Sequence, residues 1–427
     1  MKSRTPLHIS FLVHGYPPTE NAGTERHTAQ LVQHLQKRGH IIQVICATRS
    51  VFHQHGEIIQ ESDHVIRIVN NIPARSLKEK EVDPIIGQTV QQLWKSFQPH
   101  IIHVQHLQFL STELTFPVPA ILTMHDAWFW CAAGGQERYL QKEACSGATP
   151  SKCSICANEW HPRLPKRGAL LIKGAHYLRF LISPQKIQRL WKFLPISLRT
   201  SFSRSTTKPT PESSNDAQNR NQQFQRLSQS FHVRLAPSQY LAQRAQMHNC
   251  GNVTLLRHGA PPSREHIGGE GLVFIGTIAK HKGPHIVFQA YQESSCPLPI
   301  RFFGPLLHSK LIPSSYHFGL LSHAEVLNTL QHADALVLGS IWPENAPLII
   351  LEALSVSCPV IAPQIGGIPE MIVHKKNGLL YPPGDINTLR AHIDIISSTE
   401  FSFAPLKSLD QQIDEYEEIY YQNRQRE

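Results

Sequence analysis

The sequence predicts an α/β protein of two or three domains, and three observations predict it. At 427 residues the chain can bury more than one core. Its hydrophobic content is 41%, and short apolar runs alternate along it with helical stretches, the pattern of parallel sheets covered by helices. No run of about 18 uncharged apolar residues marks a membrane span. Leu7 to Val13 is apolar but short and broken by His8 and Ser10, so it reads as a first strand and not as a secretion signal. Cys46, Cys250, Cys296 and Cys358 fall in expected core elements, which suits a reducing cytoplasm. The expectation is a soluble, cytoplasmic protein.

After the first strand comes the loop GYPPTENAGTERH, where Gly15, Ala22 and Gly23 let the backbone approach a ligand. A helix from about Thr24 to Arg38 follows; its N-terminus favours an anion, and it stops at Gly39 before a strand at Ile41 to Ala47. Further strands read at His64 to Val69, His100 to Gln105 and Ala120 to Met124, with a helix at about Pro84 to Phe97. The last of these strands ends in His125-Asp126. A histidine at a strand's carboxyl end points into the ligand crevice of such a sheet, where it can donate to ligand oxygens or move a proton.

Cys131, Cys145, Cys153 and Cys156 then form a cluster ending in Cys-x-x-Cys. Four thiolates fit a tetrahedral structural zinc, although the spacing of the first two matches no standard finger. Iron–sulfur ligation, a disulfide and unliganded core cysteines are the other readings. The formal charge of +9 is local: residues 160–211 hold 11 Lys or Arg and no Asp or Glu, leaving 30 basic against 32 acidic residues elsewhere. Within that stretch Ile187, Leu190, Trp191, Leu194 and Leu198 share one helical face, with Lys186, Arg189 and Lys192 opposite. This suits a helix lying on an anionic membrane surface. It equally suits a helix packed on the first domain with a solvated basic face; no nucleic-acid module accompanies it. Ser205 to Gln229, rich in Ser, Thr, Asn and Gln, reads as a mobile linker. A strand at Phe231 to Ser238, a helix to about His248 and the segment Val253 to Pro261 complete the first half.

The second half opens with the strand and turn of GLVFIGTIAKHKG, where Gly276 and then Lys282-Gly283 lead into a helix and form a cationic phosphate site. A strand at Ile300 to Phe303 and a helix from about Ala324 to His332 precede the strand of ALVLGS. Glu344 lies in the loop beyond it. Pro347 suits a first helical turn, which places Glu352 about a turn into the next helix. Two carboxylates at a strand end and a helix start are placed to accept hydrogen bonds from sugar hydroxyls. Strands at Pro359 to Ala362 and Gly378 to Tyr381 flank a Gly366-Gly367 turn and Pro369-Glu370, and a helix from Asp410 to Arg424 ends the reading.

The run PEN-P, GG-PE and NGLL-PPGD between Gly339 and Asp385 resembles the donor-binding signature of retaining family-4 (group 1) glycosyltransferases. The resemblance extends over nearly the whole chain apart from roughly the middle fifth. It implies the GT-B fold, two Rossmann-like domains facing across a cleft: residues 1–260 as acceptor domain, with the cysteine and basic insertion at about 127–230; residues 261–408 as donor domain; and residues 409–427 as a helix returning to the first domain. It also implies catalytic roles for His125, Glu344 and Lys282. Donor binding falls to Gly23, Gly276, Thr277, Lys282, Glu344, Asn345, Ala346, Pro347, Leu348 and Glu352, with Glu344 by the donor sugar and Glu352 on the ribose. Ala22 replaces one glycine of the PP-x-x-GG-x-E loop, and Thr277 stands where the family has an arginine, so Arg257 or Lys280 would supply the second phosphate charge. A subset of the family shares the cysteine set. The implied activity is transfer of a sugar from a nucleotide-sugar donor to a glycan or lipid-linked acceptor, with no catalytic metal and no nucleic-acid partner, at the inner membrane face. A nucleotide-sugar epimerase and a non-catalytic membrane-associated scaffold of the same fold are the rival readings.

Overall fold

The computed structural model describes residues 5–50, 52–71, 81–139, 143–145, 147, 149–160 and 211–424. The basic amphipathic helix expected around Trp191 lies outside the described residues.

Two sheets follow one another along the chain. The first is built from β1 (His8–Val13), α1 (Gly23–Lys37), β2 (Ile41–Thr48), β3 (Ile58–Gln60), β4 (Val65–Val69), α2 (Pro84–Phe97), β5 (Ile101–Val104) and β6 (Ala120–Thr123). A small hairpin, β7 (Arg138–Tyr139) with β8 (Glu143–Ala144), and two helices, α3 (Pro150–Trp160) and α4 (Pro211–Gln229), come next. The sheet is completed by β9 (Val233–Ala236), α5 (Gln239–Met247) and β10 (Thr254–Leu255). Its order is β10-β9-β6-β5-β1-β2-β4-β3. Only the edge strand β3, which the sequence reading missed, runs antiparallel to its neighbour. The winding direction reverses between β1 and β5. Local chemistry fixes the helices: α2 starts at Pro84 with Asp83 accepting from the Ile86 amide, and α1 buries Thr28, Leu31, Val32 and Leu35 on one face.

The second sheet comprises β11 (Leu272–Ile275), a 3-10 turn (Lys280–Lys282), α6 (Pro284–Gln292), β12 (Ile300–Phe303), α7 (His323–His332), β13 (Ala335–Val337), α8 (Leu348–Ser355), β14 (Val360–Pro363), β15 (Gly378–Tyr381) and α9 (Ile386–Ile395). The order β12-β11-β13-β14-β15 is wholly parallel and reverses between β11 and β13. Open α/β sheets bind ligands at the carboxyl ends of their strands, where the winding reverses. The described residues hold two such points. Finally α10 (Leu409–Arg424) returns to the first sheet, where Ile413, Tyr416 and Tyr420 are buried in one cluster with Ile9, Phe11 and Leu31.

One expectation is corrected. Of the segment read as a mobile linker, residues 211–229 form α4. Ala217, Arg220, Phe224 and Leu227 recur at helical spacing and are buried. Arg220 donates to the Trp128 carbonyl at 2.7 Å and sits over the Phe224 ring at 4.0 Å. It also pairs with buried Glu81 at 3.4 Å. The polar composition hid a single narrow edge, part of it an arginine, which an average over the segment cannot reveal.

Candidate functional site

At the second sheet's reversal point, backbone packing brings two loops into contact. Gly283 has φ +65°, and a Cβ there would lie 1.8 Å from the Gly339 carbonyl oxygen. Only glycine fits, and the approach sets Lys282 beside the loop after β13. Lys282 Nζ lies 2.6 Å from Glu344 Oε1, which also accepts from Trp342 Nε1 at 2.7 Å and Ser340 Oγ at 2.8 Å. The Lys282 ammonium sits 4.8 Å from the Trp342 ring centre. Burial pushes the Glu344 carboxyl pKa up, but Lys282, Trp342 and Ser340 together hold it below its ordinary value. Beneath the loop, Gly367 N donates to the Glu344 carbonyl at 2.7 Å. A Cβ on Gly366, at φ +62°, would reach within 2.1 Å of the same oxygen.

The other donor-side residues surround this pair. Gly276 and Thr277 follow β11, and Ala346 and Pro347 lead into α8, which begins at Leu348. Asn345 turns away from them: its Nδ2 donates to the His125 carbonyl at 2.6 Å, joining the two halves of the chain. Glu352 is only 4% exposed. Facing the cleft, its Oε1 is held by Arg26 of α1 at 3.1 Å and by His323 at 3.2 Å, with the arginine also against the His323 ring. Gly23 opens α1, three residues before that arginine. A third contact joins the halves at Glu370, which accepts from the Gln239 and Tyr240 amides and pairs with Arg257 at 2.9 Å.

His125 caps β6 and closes a buried relay. Its Nε2 donates to Gln105 Oε1 at 2.6 Å, and Gln105 Nε2 donates to His103 Nε2 at 2.9 Å. The other nitrogen of His103 then donates to the Tyr420 hydroxyl, 2.7 Å away on α10. Burial, then the neighbouring His27 and His258, keep the His125 pKa well below its ordinary value, so the ring is neutral at pH 7. With Nε2–H committed to Gln105, Nδ1 carries the lone pair. At the first sheet's reversal point two histidine–carboxylate pairs lie together: His14 to Glu25 at 2.8 Å and His106 to Asp126 at 3.4 Å, their rings 4.5 Å apart. Glu25 Oε2 and His14 Nδ1 are buried without a partner among the described residues.

Cys131, Cys145, Cys153 and Cys156 line one cavity with Glu137, Lys152 and Arg244. All four are free of disulfides. Burial pushes the Cys131 thiol up to about 11 and Cys153 up to about 12. Among the described residues no three Cys, His, Asp or Glu side chains gather closely enough to hold an ion. Glu137 anchors this loop to α5, accepting from Arg244 at 2.6 Å, Trp130 at 2.9 Å and Tyr240 at 3.0 Å.

Arg26, Trp342, Gln105, His103 and Tyr420 were not assigned to the site from sequence. Arg26 and Tyr420 act through partners 326 and 317 residues away, a separation no local pattern reports, whereas Trp342 and Gln105 bond residues two positions off. His14 did carry a signal, since it follows the first strand just as His125 follows the sixth.

Comparison with known proteins gives two family matches: a family 4 glycosyltransferase segment at residues 21–149 and a group 1 glycosyl transferase segment at residues 266–418. An amylovoran biosynthesis glycosyltransferase of Erwinia amylovora is 32% identical over 93 residues, 21% of this chain and 23% of that protein. The chain spans 23–39% of the length of the curated relatives it matches. Among solved structures, sucrose-phosphate synthase of Thermosynechococcus elongatus aligns over 97% of this chain and 98% of its own, with TM-score 0.58 and 13% identity. Anabaena HepE in complex with UDP-glucose covers 97% of this chain and 100% of its own, with TM-score 0.52 and 14% identity. At these identities the likeness concerns the fold. No helix of the described residues is long and apolar enough to cross a membrane.

Proposed function

The chain belongs to the group 1 glycosyltransferases of GT-B fold, and on that premise we propose that it moves a sugar from a nucleotide-sugar donor to a glycan or lipid-linked acceptor, with retention at the anomeric carbon, in the synthesis of cell-surface polysaccharide or glycolipid. One observation carries the reading. The Lys282–Glu344 pair stands at one sheet's reversal point, and its loop is bonded through Asn345 to His125, at a strand end of the other sheet. A donor bridging the two would set its diphosphate by Lys282 and the N-terminus of α6, its sugar by Glu344, and its anomeric carbon by His125.

In the step proposed, the bond from the anomeric carbon to the phosphate oxygen breaks as the acceptor oxygen bonds to that carbon. The acceptor's proton passes to the departing phosphate oxygen. Lys282 and the helix N-terminus stabilise the developing phosphate charge, so no catalytic metal is needed. A neutral His125 orients sugar oxygens without adding charge. Retention rests on the family resemblance. UDP-glucose in the HepE structure supports a nucleotide sugar as donor, and the amylovoran relative's name supports polysaccharide synthesis. The basic stretch of residues 160–211 supports a lipid-linked acceptor at an anionic, inner membrane face.

A thermal-shift screen with UDP-, GDP- and ADP-sugars, followed by donor turnover with and without acceptor, tests this reading. Stabilisation by one donor class, and turnover lost in Glu344→Ala, is expected. No shift with any donor refutes the reading, and turnover without acceptor would favour the epimerase.

A further inference from the structure

A nucleoside diphosphate brings a multiply charged anion and a ribose diol, and the site must answer both. On the second sheet the answer to the anion is incomplete. Lys282 is the cation at the reversal point, and its ammonium is already matched by Glu344 at 2.6 Å. Arg257 is engaged by Glu370 at 2.9 Å, and Lys280 is exposed on the 3-10 turn. Thr277, after Gly276 at the end of β11, carries no charge.

Among the described residues, an arginine that does reach into the cleft comes from the other half of the chain. Arg26 lies in the first turn of α1 and spans the cleft to Glu352 at 3.1 Å, in the second turn of α8. Its side chain is 25% exposed and that of Glu352 only 6%. We propose that Arg26 is the second cation of the donor-diphosphate site, supplied by the opposite domain and parked on Glu352 until the donor arrives. The proposal rests on the glycosyltransferase reading and deepens it.

The exchange is balanced in charge. When ribose hydroxyls take the Glu352 carboxylate, Arg26 is released, and the phosphate joined to that ribose through one methylene is the nearest new partner. Neither the carboxylate nor the guanidinium is left buried and unpaired, an outcome that would be costly. A ligand with the diol alone must displace Arg26 and give it nothing. One with the diphosphate as well compensates at both ends, and a guanidinium can hold two phosphate oxygens at once. Arg26 therefore makes the site discriminate nucleoside diphosphates from nucleosides, and it couples donor arrival to contact between the domains.

Calorimetry on the full chain tests this, with UDP, GDP and ADP as probes, set against the nucleoside of whichever binds. Thermal unfolding checks that Arg26→Gln, Arg26→Lys and Arg26→Gln/Thr277→Arg are folded. Arg26→Gln should cut the preference for diphosphate over nucleoside by about tenfold to a hundredfold, the range for a hydrogen bond to a charged group, with the nucleoside binding better because it no longer displaces an arginine. Arg26→Lys should recover part of that preference, and Thr277→Arg in the Arg26→Gln background should recover more. If Arg26→Gln shifts nucleoside and diphosphate alike, or shifts neither, Arg26 is a strut between domains and the proposal is overturned while the glycosyltransferase reading stands. If the parent binds none of the three nucleotides, that reading itself fails.

Discussion

Replacing Glu344 by Gln keeps the shape of the side chain and removes its charge. Three donors converge on Oε1 at 2.6–2.8 Å. The amide oxygen can still accept from Trp342 and Ser340, so the loss falls on Lys282. A hydrogen bond to a charged group contributes about 1.5–3 kcal/mol. Lys282 is 27% exposed, so water compensates part of this, and about 1.5–2 kcal/mol is expected. For a domain of 150–250 residues that lowers Tm by about 3–8 °C. The sign of the pH dependence follows from the depressed carboxyl pKa. Ionised Glu344 stabilises the fold fully above its unfolded pKa of about 4.3, and that stabilisation is lost as pH falls through the lower folded value. The deficit of the Gln variant should hold steady from neutral pH down to about 5.5 and shrink towards pH 4. Paired thermal scans of parent and variant across that range measure it. Identical Tm values at pH 7, or a deficit unchanged at pH 4, would refute the reasoning.

Four further outcomes are expected. Tyr420→Phe removes the hydroxyl that accepts from His103; leaving that buried N–H unmet should cost about 1–3 kcal/mol in unfolding experiments. Because the relay ends on His125, the pH–rate profile should also move, which a purely structural hydroxyl would not cause. Buried His27 has its pKa lowered to about 4, and His103, His125 and His258 are shifted the same way. The unfolded chain thus binds protons between about pH 6.5 and 4 that the folded chain does not, so stability falls across that window, and His27→Asn should flatten part of the slope. The four cysteines of the shared cavity stand too far apart here to hold an ion, so the expected structural zinc requires them to draw together: about one equivalent by elemental analysis, with Cys153→Ser destabilising the first domain, would support it, and metal-free protein of full stability rejects it. Vesicle sedimentation should require anionic lipid, weaken with salt and drop when Lys186, Arg189 and Lys192 become Gln, at about 1 kcal/mol per charge; Trp191→Ala should weaken it independently of salt.

Much of the framework was legible because its signals are local. Asp83-Pro84 announces α2, and the last residues of β6 and β13 point to His125 and Glu344 because strand ends in parallel sheets are where ligands go. The pairing of Lys282 with Glu344 was less visible. Each residue was assigned separately to phosphate or sugar, and only the mutual approach of Gly283 and Gly339 brings them together. Glu352 was placed on the right helix, facing the cleft, but its partner was not foreseen, since nothing near it in sequence announces Arg26. The reading failed outright at α4, where Ala217, Phe224 and Leu227 are outnumbered by polar neighbours that average composition weighs equally.

The return of α10 has a consequence for how the chain is made. Tyr420 follows His103 by 317 residues, and the whole second sheet is synthesised between them. At typical translation rates the roughly 150 residues after β10 take on the order of ten seconds or more to emerge. Throughout that interval the apolar cluster of Phe11, Val44 and Ile121 lacks Ile413, Tyr416 and Tyr420, which share it in the finished fold, and His103 lacks its tyrosine. The half of the molecule translated first is therefore the half completed last, and the nascent chain carries a sticky underside for as long as its second half is being made. The helix that completes the cluster also ties the end of one domain's folding to the other's, so a ribosome stalled anywhere in the second sheet leaves both unfinished.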